Sequence, residues 1–244
     1  MSIKEVFKLF SDIVYPRRCP ICYNVVVPKN GLSCIRCKHK LTVISEPRCM
    51  KCSKPIQSKY IEYCFDCSNK AKTFNKGYAL WIYDDLMKKS IGEFKYNGKK
   101  EYADFYANML FNSFQKEIIR LQIEAFIPVP IHNKKKNIRG YNQATVLANK
   151  LSELTLIPVI DNVLIRDIYT TPQKELNDVE RRKNMENAFV IKENNYFYNN
   201  KIKNLMLIDD IYTTGSTIEF CTRKLVQAGA CNVYFLCICI GLGN

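Results

Sequence analysis

The sequence lacks any apolar run approaching the roughly 18 residues that a membrane-spanning helix needs. The longest, Val233 to Leu242, has the length of a buried strand. No secretory signal is visible at the start, so a cytoplasmic location is expected, with cysteines held as thiols or thiolates rather than disulfides. Acidic residues are in short supply: 23 Asp and Glu stand against 37 Lys and Arg, a formal net charge of +14. The hydrophobic share of 47% excludes a chain disordered throughout. Cysteine is missing between Cys67 and Cys221, although the chain has twelve. Eight lie from Cys19 to Cys67, and the other four are Cys221, Cys231, Cys237 and Cys239. That unevenness divides the chain into two chemistries and favours two modules over one.

Residues 1–16 read as an amphipathic helix. Ile3, Val6, Phe7, Phe10, Ile13 and Val14 share one face at helical spacing, and Ser2 with Glu5 forms a capping box. Such a helix packs on protein or gives a weak membrane association.

Residues 17–72 carry four C-x-x-C pairs, Cys19 with Cys22, Cys34 with Cys37, Cys49 with Cys52 and Cys64 with Cys67, each starting 15 residues after the one before. Two thiolates two residues apart fit a tight knuckle that supplies half of a tetrahedral site, so four pairs predict two structural Zn²⁺ sites. Equal spacing without thioredoxin-like surroundings argues against redox pairs. Pairing of adjacent knuckles (19, 22, 34, 37 and 49, 52, 64, 67) gives two successive ribbons, favoured over an interleaved cross-brace. His39 is expected at the surface rather than as a ligand. A segment with so little core depends on its metal. Filled sites lower the charge by 4, to about +10, which remains basic.

Residues 73–244 carry the second chemistry. A buried strand, Leu205 to Ile208, is expected to deliver Asp209 and Asp210 to its carboxyl end, where open α/β sheets bind ligands. The loop Thr213, Thr214, Gly215, Ser216 and Thr217 then opens into an apolar helix, Ile218 to Ala228. Successive amides, hydroxyls and the positive helix end make a cradle for a phosphate monoester, with Gly215 admitting close approach of its oxygens. The two carboxylates suit vicinal sugar hydroxyls. Together they describe a site for a ribose 5-phosphate group. The stretch Asp-Asp-x-x-Thr-Thr-Gly-x-Thr resembles the phosphoribosyl pyrophosphate (PRPP) loop of type I phosphoribosyltransferases.

Upstream, a strand at Ala125 to Val129 leads into a turn bearing Lys134, Lys135, Lys136 and Arg139, then into Gly140-Tyr141-Asn142-Gln143-Ala144 and an apolar-periodic helix through Leu151. Cations gathered there suit a pyrophosphate. His132 reads equally well as a plain turn residue. Trp81 to Asp84 is strand-like, and the helix after it ends at Phe94-Lys95-Tyr96-Asn97-Gly98, with Lys95 facing the site from the side. The polar segment Arg166 to Asn187 suits a mobile flap ahead of a strand at Ala188 to Val190. Cys221 to Cys239 read as small core residues.

The order of four C-x-x-C pairs, Phe-Lys-Tyr-x-Gly, Pro-Val-Pro, Arg-Gly-Tyr-Asn-Gln-Ala, Arg-x-x-x-Thr-x-x-Gln, Arg-x-x-Asn and the PRPP loop resembles the ComF family of competence proteins. The resemblance implies an α/β, type I phosphoribosyltransferase-like domain with a mostly parallel sheet, preceded by a double zinc ribbon. It implies a ribose-phosphate site from Asp209, Asp210 and Thr213 to Thr217, with Arg139, Asn142 and Gln143, and with Lys95, Gln173 and Arg181 as outer members. The family's third knuckle typically reads Cys-Gly-x-Pro, where this chain has Cys52-Ser53-Lys54-Pro55. That glycine relaxes a left-handed backbone position.

Two functions follow. One is a DNA-uptake factor that binds PRPP or a ribose 5-phosphate group with Mg²⁺, and holds single-stranded DNA or a partner of the uptake machinery on its basic surface. The other is an active phosphoribosyltransferase transferring to a nitrogen nucleophile, with Asp209, Asp210, Arg139 and Lys95 as catalytic candidates. No segment is assignable to recognising a base.

Overall fold

The protein is described here by a computed structural model over residues 16–166, 188–192 and 196–242. The cysteine-rich region holds two one-turn helices, α1 (Ile35–Lys38) and α2 (Phe65–Asn69). Then follow β1 (Lys76–Ile82), α3 (Asp85–Tyr96), α4 (Tyr102–Arg120), β2 (Ala125–Pro128), α5 (Asn133–Arg139) and α6 (Gln143–Thr155). The remainder comprises β3 (Leu164–Arg166), β4 (Phe189–Ile191), α7 (Tyr196–Asn199), β5 (Asn204–Tyr212), α8 (Ser216–Gln227) and β6 (Asn232–Ile240).

Four strands form one parallel sheet in the order β1-β6-β5-β2, and β3 pairs antiparallel with β4. β5 and β6 are apolar almost without interruption because both faces of the sheet are covered. On one face Met206, Ile208 and Leu236 pack with Phe94, Phe105, Tyr106 and Leu147 of α3, α4 and α6. On the other, Leu205, Leu207 and Phe235 pack with Ile218 and Leu225 of α8 and with Phe189 and Phe197. Gly77 is required on this second face, since a Cβ there would lie 1.9 Å from the Phe235 ring.

The two cysteine ribbons pack into opposite faces at the β1 edge. Cys19, Ile21 and Cys37 belong to the first core, and Cys49 and Cys52 to the second. Between the ribbons, residues 42–44 run antiparallel to β1. The Ile44 amide donates to Leu80 O at 2.9 Å, and the Ile82 amide to Thr42 O at 2.9 Å. The outer edge of β1, which would otherwise present unpaired amides and carbonyls, is thereby covered.

Two assignments upstream of the Asp pair differ from the sequence reading. β1 ends at Ile82, and Asp84 instead caps α3 by accepting from the Met87 amide at 3.0 Å, an arrangement worth about 1 kcal/mol. Met87, Ile91 and Phe94 then form the buried stripe of that helix. The Lys134–Lys136 run, expected in a turn, lies in α5, because Lys and Arg are good helix formers and Gly140, at φ 77°, ends the helix in the left-handed region.

Candidate phosphate site and cysteine centres

The cysteines gather as two sets, Cys19, Cys22, Cys34, Cys37 and Cys49, Cys52, Cys64, Cys67, with all sulfurs of a set within 4.8 Å of one another. This is the adjacent pairing. Tetrahedral zinc at a Zn–S length of about 2.3 Å places sulfurs about 3.8 Å apart, and Cys22 Sγ lies 3.9 Å from Cys34 Sγ, Cys52 Sγ 3.5 Å from Cys64 Sγ. Both centres therefore fit zinc. Burial and the neighbouring Cys22 and Cys19 sulfurs push the Cys37 thiol up to about 12. His39 is exposed beyond α1 and belongs to neither set.

The ribbons share one backbone template. Cys19 N donates to Asn24 O at 2.8 Å and Cys49 N to Lys54 O at 2.7 Å; Tyr23 N donates to Cys19 O at 2.9 Å and Ser53 N to Cys49 O at 3.0 Å. Tyr23 and Ser53 occupy the equivalent left-handed position, at φ 64° and 68°. Ser53, standing where the resembled family has glycine, donates its buried hydroxyl to Gly77 O at 2.6 Å. That bond offsets the strain of a side chain in this region.

β5 continues past Ile208 and through both carboxylates to Tyr212, with Asp209 opposite Cys237 and Ile211 opposite Cys239. The sequence reading ended the strand too early because its last residues are polar while the backbone ladder persists. Asp209 and Asp210 follow alternating residues and so depart toward opposite faces of the sheet. The Asp210 amide donates to Asp209 Oδ1 at 2.8 Å, and Lys95 Nζ sits 2.8 Å from Asp210 Oδ1. Burial, then the Asp210 charge, lift the Asp209 carboxyl to about 7, with Lys95 and Arg166 pulling it back. Burial opposes the charge on Lys95, yet the Asp210 carboxylate holds its ammonium above the ordinary value.

Beyond Tyr212 the chain turns and enters α8. Thr213 and Thr214 are exposed, Ser216 and Thr217 half-buried. Thr214 Oγ1 lies 3.1 Å from Ser216 Oγ, and the Ser216 amide donates to it at 3.5 Å. The first-turn amides of α8 have no acceptors within their own helix. Gly215 is left-handed at φ 77°, and an added Cβ would lie 2.2 Å from Tyr212 Oη. The sequence reading assigned this glycine to ligand approach; the tyrosine beneath it is a sufficient reason by itself. Tyr212 stacks on Phe235 at 4.7 Å with 4° between planes, and its hydroxyl, shielded from solvent, has no hydrogen-bond partner among the described residues. Burial first, and then the fields of Cys52, Cys67 and Cys64, push its ionisation far above the usual phenol range. Tyr212 thus lies between the second cysteine centre and the Thr-rich loop.

The cations converge on the same end of the sheet. Arg139 donates to Gln143 Oε1 at 3.0 Å and to the Tyr96 hydroxyl at 3.1 Å, while Gln143 Nε2 donates to Lys95 O at 3.3 Å. Gln143 is buried, and Asn142 donates to Val129 O at 3.0 Å while capping α6 through the Ala144 amide at 3.1 Å. Both therefore brace the site from behind. Burial, together with Arg166, Arg139 and Lys95, pushes the Lys135 ammonium below its usual value, so four cations crowd one region. Arg166 at the end of β3 opens the Arg-x-x-x-Thr-x-x-Gln motif and the flap segment but was not assigned to the site; burial lowers its pKa while Cys221 and Asp209 work the other way. Its place at the head of that motif was the signal for it. A cavity of about 590 Å³ adjoins the region, lined by Asn133, Lys136, Asn142, Asp161, Arg166 and Lys192. His132 caps α5, its Nδ1 accepting from the Lys134 amide at 3.1 Å.

Cys221, Cys237 and Cys239 are core residues as expected, but Cys231 is exposed. Gln173, Arg181, the proposed flap and the N-terminal helix lie outside the described residues.

The family model described as Double zinc ribbon domain matches residues 10–68. Competence protein F of Haemophilus influenzae is 31% identical over 218 residues, covering 87% of this chain and 92% of that protein. Competence protein ComFC of Bacillus subtilis is 26% identical over 80% of this chain and 78% of its own. DNA utilization protein YhgH of Escherichia coli K12 is 22% identical, over 93% and 98%. A solved purine phosphoribosyltransferase from Pyrococcus horikoshii aligns at a TM-score of 0.35 and 14% identity, over 56% of this chain and 73% of that one. Identity to competence protein F at this level, along nearly the whole of both chains, places this chain in the ComF family.

Proposed function

We propose that this protein serves DNA uptake by binding PRPP or a related ribose 5-phosphate with Mg²⁺ at the end of β5, and single-stranded DNA along its basic surface. The observation that supports the site is the meeting of an open, hydroxyl-rich helix start with two carboxylates and four crowded cations. The 5′-phosphate falls to the amides and hydroxyls of 213–217. The sugar diol falls to Asp209 and Asp210, whose Oδ1 atoms are engaged by the Asp210 amide and Lys95, leaving an Oδ2 on each. The pyrophosphate faces Lys135, Arg139 and Arg166. Magnesium is a hard cation that takes oxygen ligands; the carboxylate oxygens and the ligand's own phosphates offer that chemistry, and the ion would neutralise the pyrophosphate. The cavity beside α5, with Lys136, Arg166 and Lys192 against Asp161, supports a path for a phosphodiester strand.

Relatives named for competence and for DNA utilization support the biological setting, and the lack among the described residues of a helix long and apolar enough to cross a membrane is consistent with it. The test is calorimetric titration with PRPP and Mg²⁺ of the wild type against an Asp209→Asn, Asp210→Asn double variant. Binding is expected in the wild type and a loss of at least tenfold in the variant; equal affinities overturn the site. Pyrophosphate release in the same solutions, with a base or an amine added, distinguishes turnover from binding alone.

A further inference from the structure

The segment that joins the second ribbon to β1 grips the Thr-rich loop at both of its ends. Thr73 and Phe74 follow Cys67 by six and seven residues and stand just ahead of β1. Thr73 is exposed, yet its amide donates to Glu219 Oε2 at 2.9 Å and its hydroxyl to Glu219 Oε1 at 2.7 Å. Glu219 lies in the first turn of α8, and its own amide donates to Gly215 O at 2.9 Å. Phe74 is fully buried, its ring packed edge-to-face against Tyr212 at 6.3 Å and Phe235 at 5.1 Å. Tyr212 precedes the loop and Glu219 follows it, so two adjacent residues fix both its entry and its exit.

This grip does more than fill space. A buried carboxylate in the first turn of α8 would compete with an anion for the positive helix end. Both Glu219 oxygens are instead occupied by Thr73, and Arg223 Nε donates to Oε1 at 2.9 Å, so the charge is balanced locally. The grip is also seated on the metal-binding knuckle. Lys51, between Cys49 and Cys52, places its Nζ 5.6 Å from the Phe74 centroid, and its carbonyl accepts from the Gly77 amide at 2.8 Å. A ribbon with so little core keeps these positions only while its sulfurs are drawn together. The first ribbon packs into the core on the other face of the sheet.

We infer that Thr73 and Phe74 form a clamp that couples zinc at the second cysteine centre to the binding geometry of the phosphate loop, with Thr73 as a positioning residue acting through Glu219. The inference rests on the ribose 5-phosphate reading given above and adds its regulation. A loop already fixed at both ends loses less freedom when a phosphate orders its amides, so the sugar phosphate binds more tightly to the chain with this centre filled. Coupling between two binding sites is reciprocal, so the sugar phosphate must in turn tighten zinc at the second centre and leave the first unaffected.

The experiment sets the full, zinc-loaded chain against a chelator selective for zinc over Mg²⁺, in Mg²⁺, with and without saturating ribose 5-phosphate. One of the two zinc equivalents should be held at least about fivefold more tightly when the sugar phosphate is present, and the other should be unchanged. In Cys34→Ser, which keeps only the second centre intact, the remaining equivalent should be the protected one. Thr73→Val, a change at an exposed position, should still bind two equivalents of zinc but show protection of about twofold or less and weaker ribose 5-phosphate binding. Thr73→Ser, which keeps the hydroxyl, should restore both, and Glu219→Met, which removes the acceptor of both bonds, should abolish the protection. Ribose 5-phosphate binding that protects neither equivalent, or both equally, overturns the clamp. So does full protection in Thr73→Val and Glu219→Met, or its absence in Cys34→Ser. Failure of the zinc-loaded wild type to bind ribose 5-phosphate at all overturns the ribose-phosphate reading itself, a result distinct from the others.

Discussion

The two cysteine ribbons are built on one template and lead to different places. Both hold four sulfurs in the same hydrogen-bonded knuckles, yet the first joins the core formed by α3, α4 and α6, where Arg17 reaches Asp104 at 3.2 Å. The second joins the α8 side of the sheet, where Lys54 bonds Asp66 at 2.6 Å and the sulfurs lie in the field around Tyr212. A metal site thus acquires its wider consequence from the face it packs on. Local repetition in the sequence equips the chain with two equal clamps, and tertiary placement makes only one of them a neighbour of the Thr-rich loop.

The strongest break of that comparison is the matched pair Cys34→Ser and Cys64→Ser. Each should reduce bound zinc from two equivalents to one, measured by chelator titration, and lower the melting temperature. Only Cys64→Ser should also weaken ribose 5-phosphate binding, by tenfold or more; equal losses would show that the two ribbons are interchangeable. Next come two glycines on the second-ribbon side. Gly215→Ala forces a Cβ against Tyr212 Oη in a left-handed position, and Gly77→Ala forces one into Phe235. Each should cost roughly 1–3 kcal/mol in urea unfolding, with loop binding lost in the first and reduced in the second.

The carboxylates allow a comparison of the same two faces. Asp210, toward α3, is paired with Lys95, whereas Asp209 has its carboxyl lifted to about 7 from an ordinary 3.8. A raised carboxyl means that ionisation is harder in the folded chain, so the charge destabilises the fold increasingly from about pH 4 to pH 7 and fully above that. Asp209→Asn should therefore stabilise the protein without ligand by roughly 1–3 kcal/mol at pH 8 and by much less at pH 4.5. Wild-type affinity for ribose 5-phosphate should rise over the same interval. A stability gain independent of pH would remove Asp209 as the titrating group. The smallest effect belongs to Ser53→Gly, which relieves a left-handed side chain and gives up the bond to Gly77 O. The net change should stay within about 1 kcal/mol.

What could be seen in the sequence was whatever depends on spacing. Four equally spaced C-x-x-C pairs were enough to mark two four-sulfur sites and to favour adjacent pairing, which only the gathered sulfurs decide, and the apolar runs around Leu207 and Phe235 located the central strands. The Asp-Asp and Thr-Thr-Gly-Ser-Thr residues marked the loop because their chemistry is uncommon in combination. Properties set by tertiary contact were hidden. Nothing local shows that β5 keeps its ladder through Asp209 and Asp210, that Gln143 is buried with its amide shared between Arg139 and the Lys95 carbonyl, or that Arg166 comes to share a corner with Asp209. Tyr212 carries no signal of its own in the sequence, since only the fold sets it between sulfurs and Gly215. Ser53 looked like a slight defect of the knuckle, and the carbonyl that compensates it is 24 residues away.

The short antiparallel run at 42–44 has a practical corollary. It closes the seam along which β1 could otherwise zip onto a neighbouring molecule, so the metal-binding half of the chain also acts as a selvedge for the sheet. Cutting the polypeptide just ahead of β1 to obtain the α/β half alone should yield material that self-associates, however intact its phosphate loop.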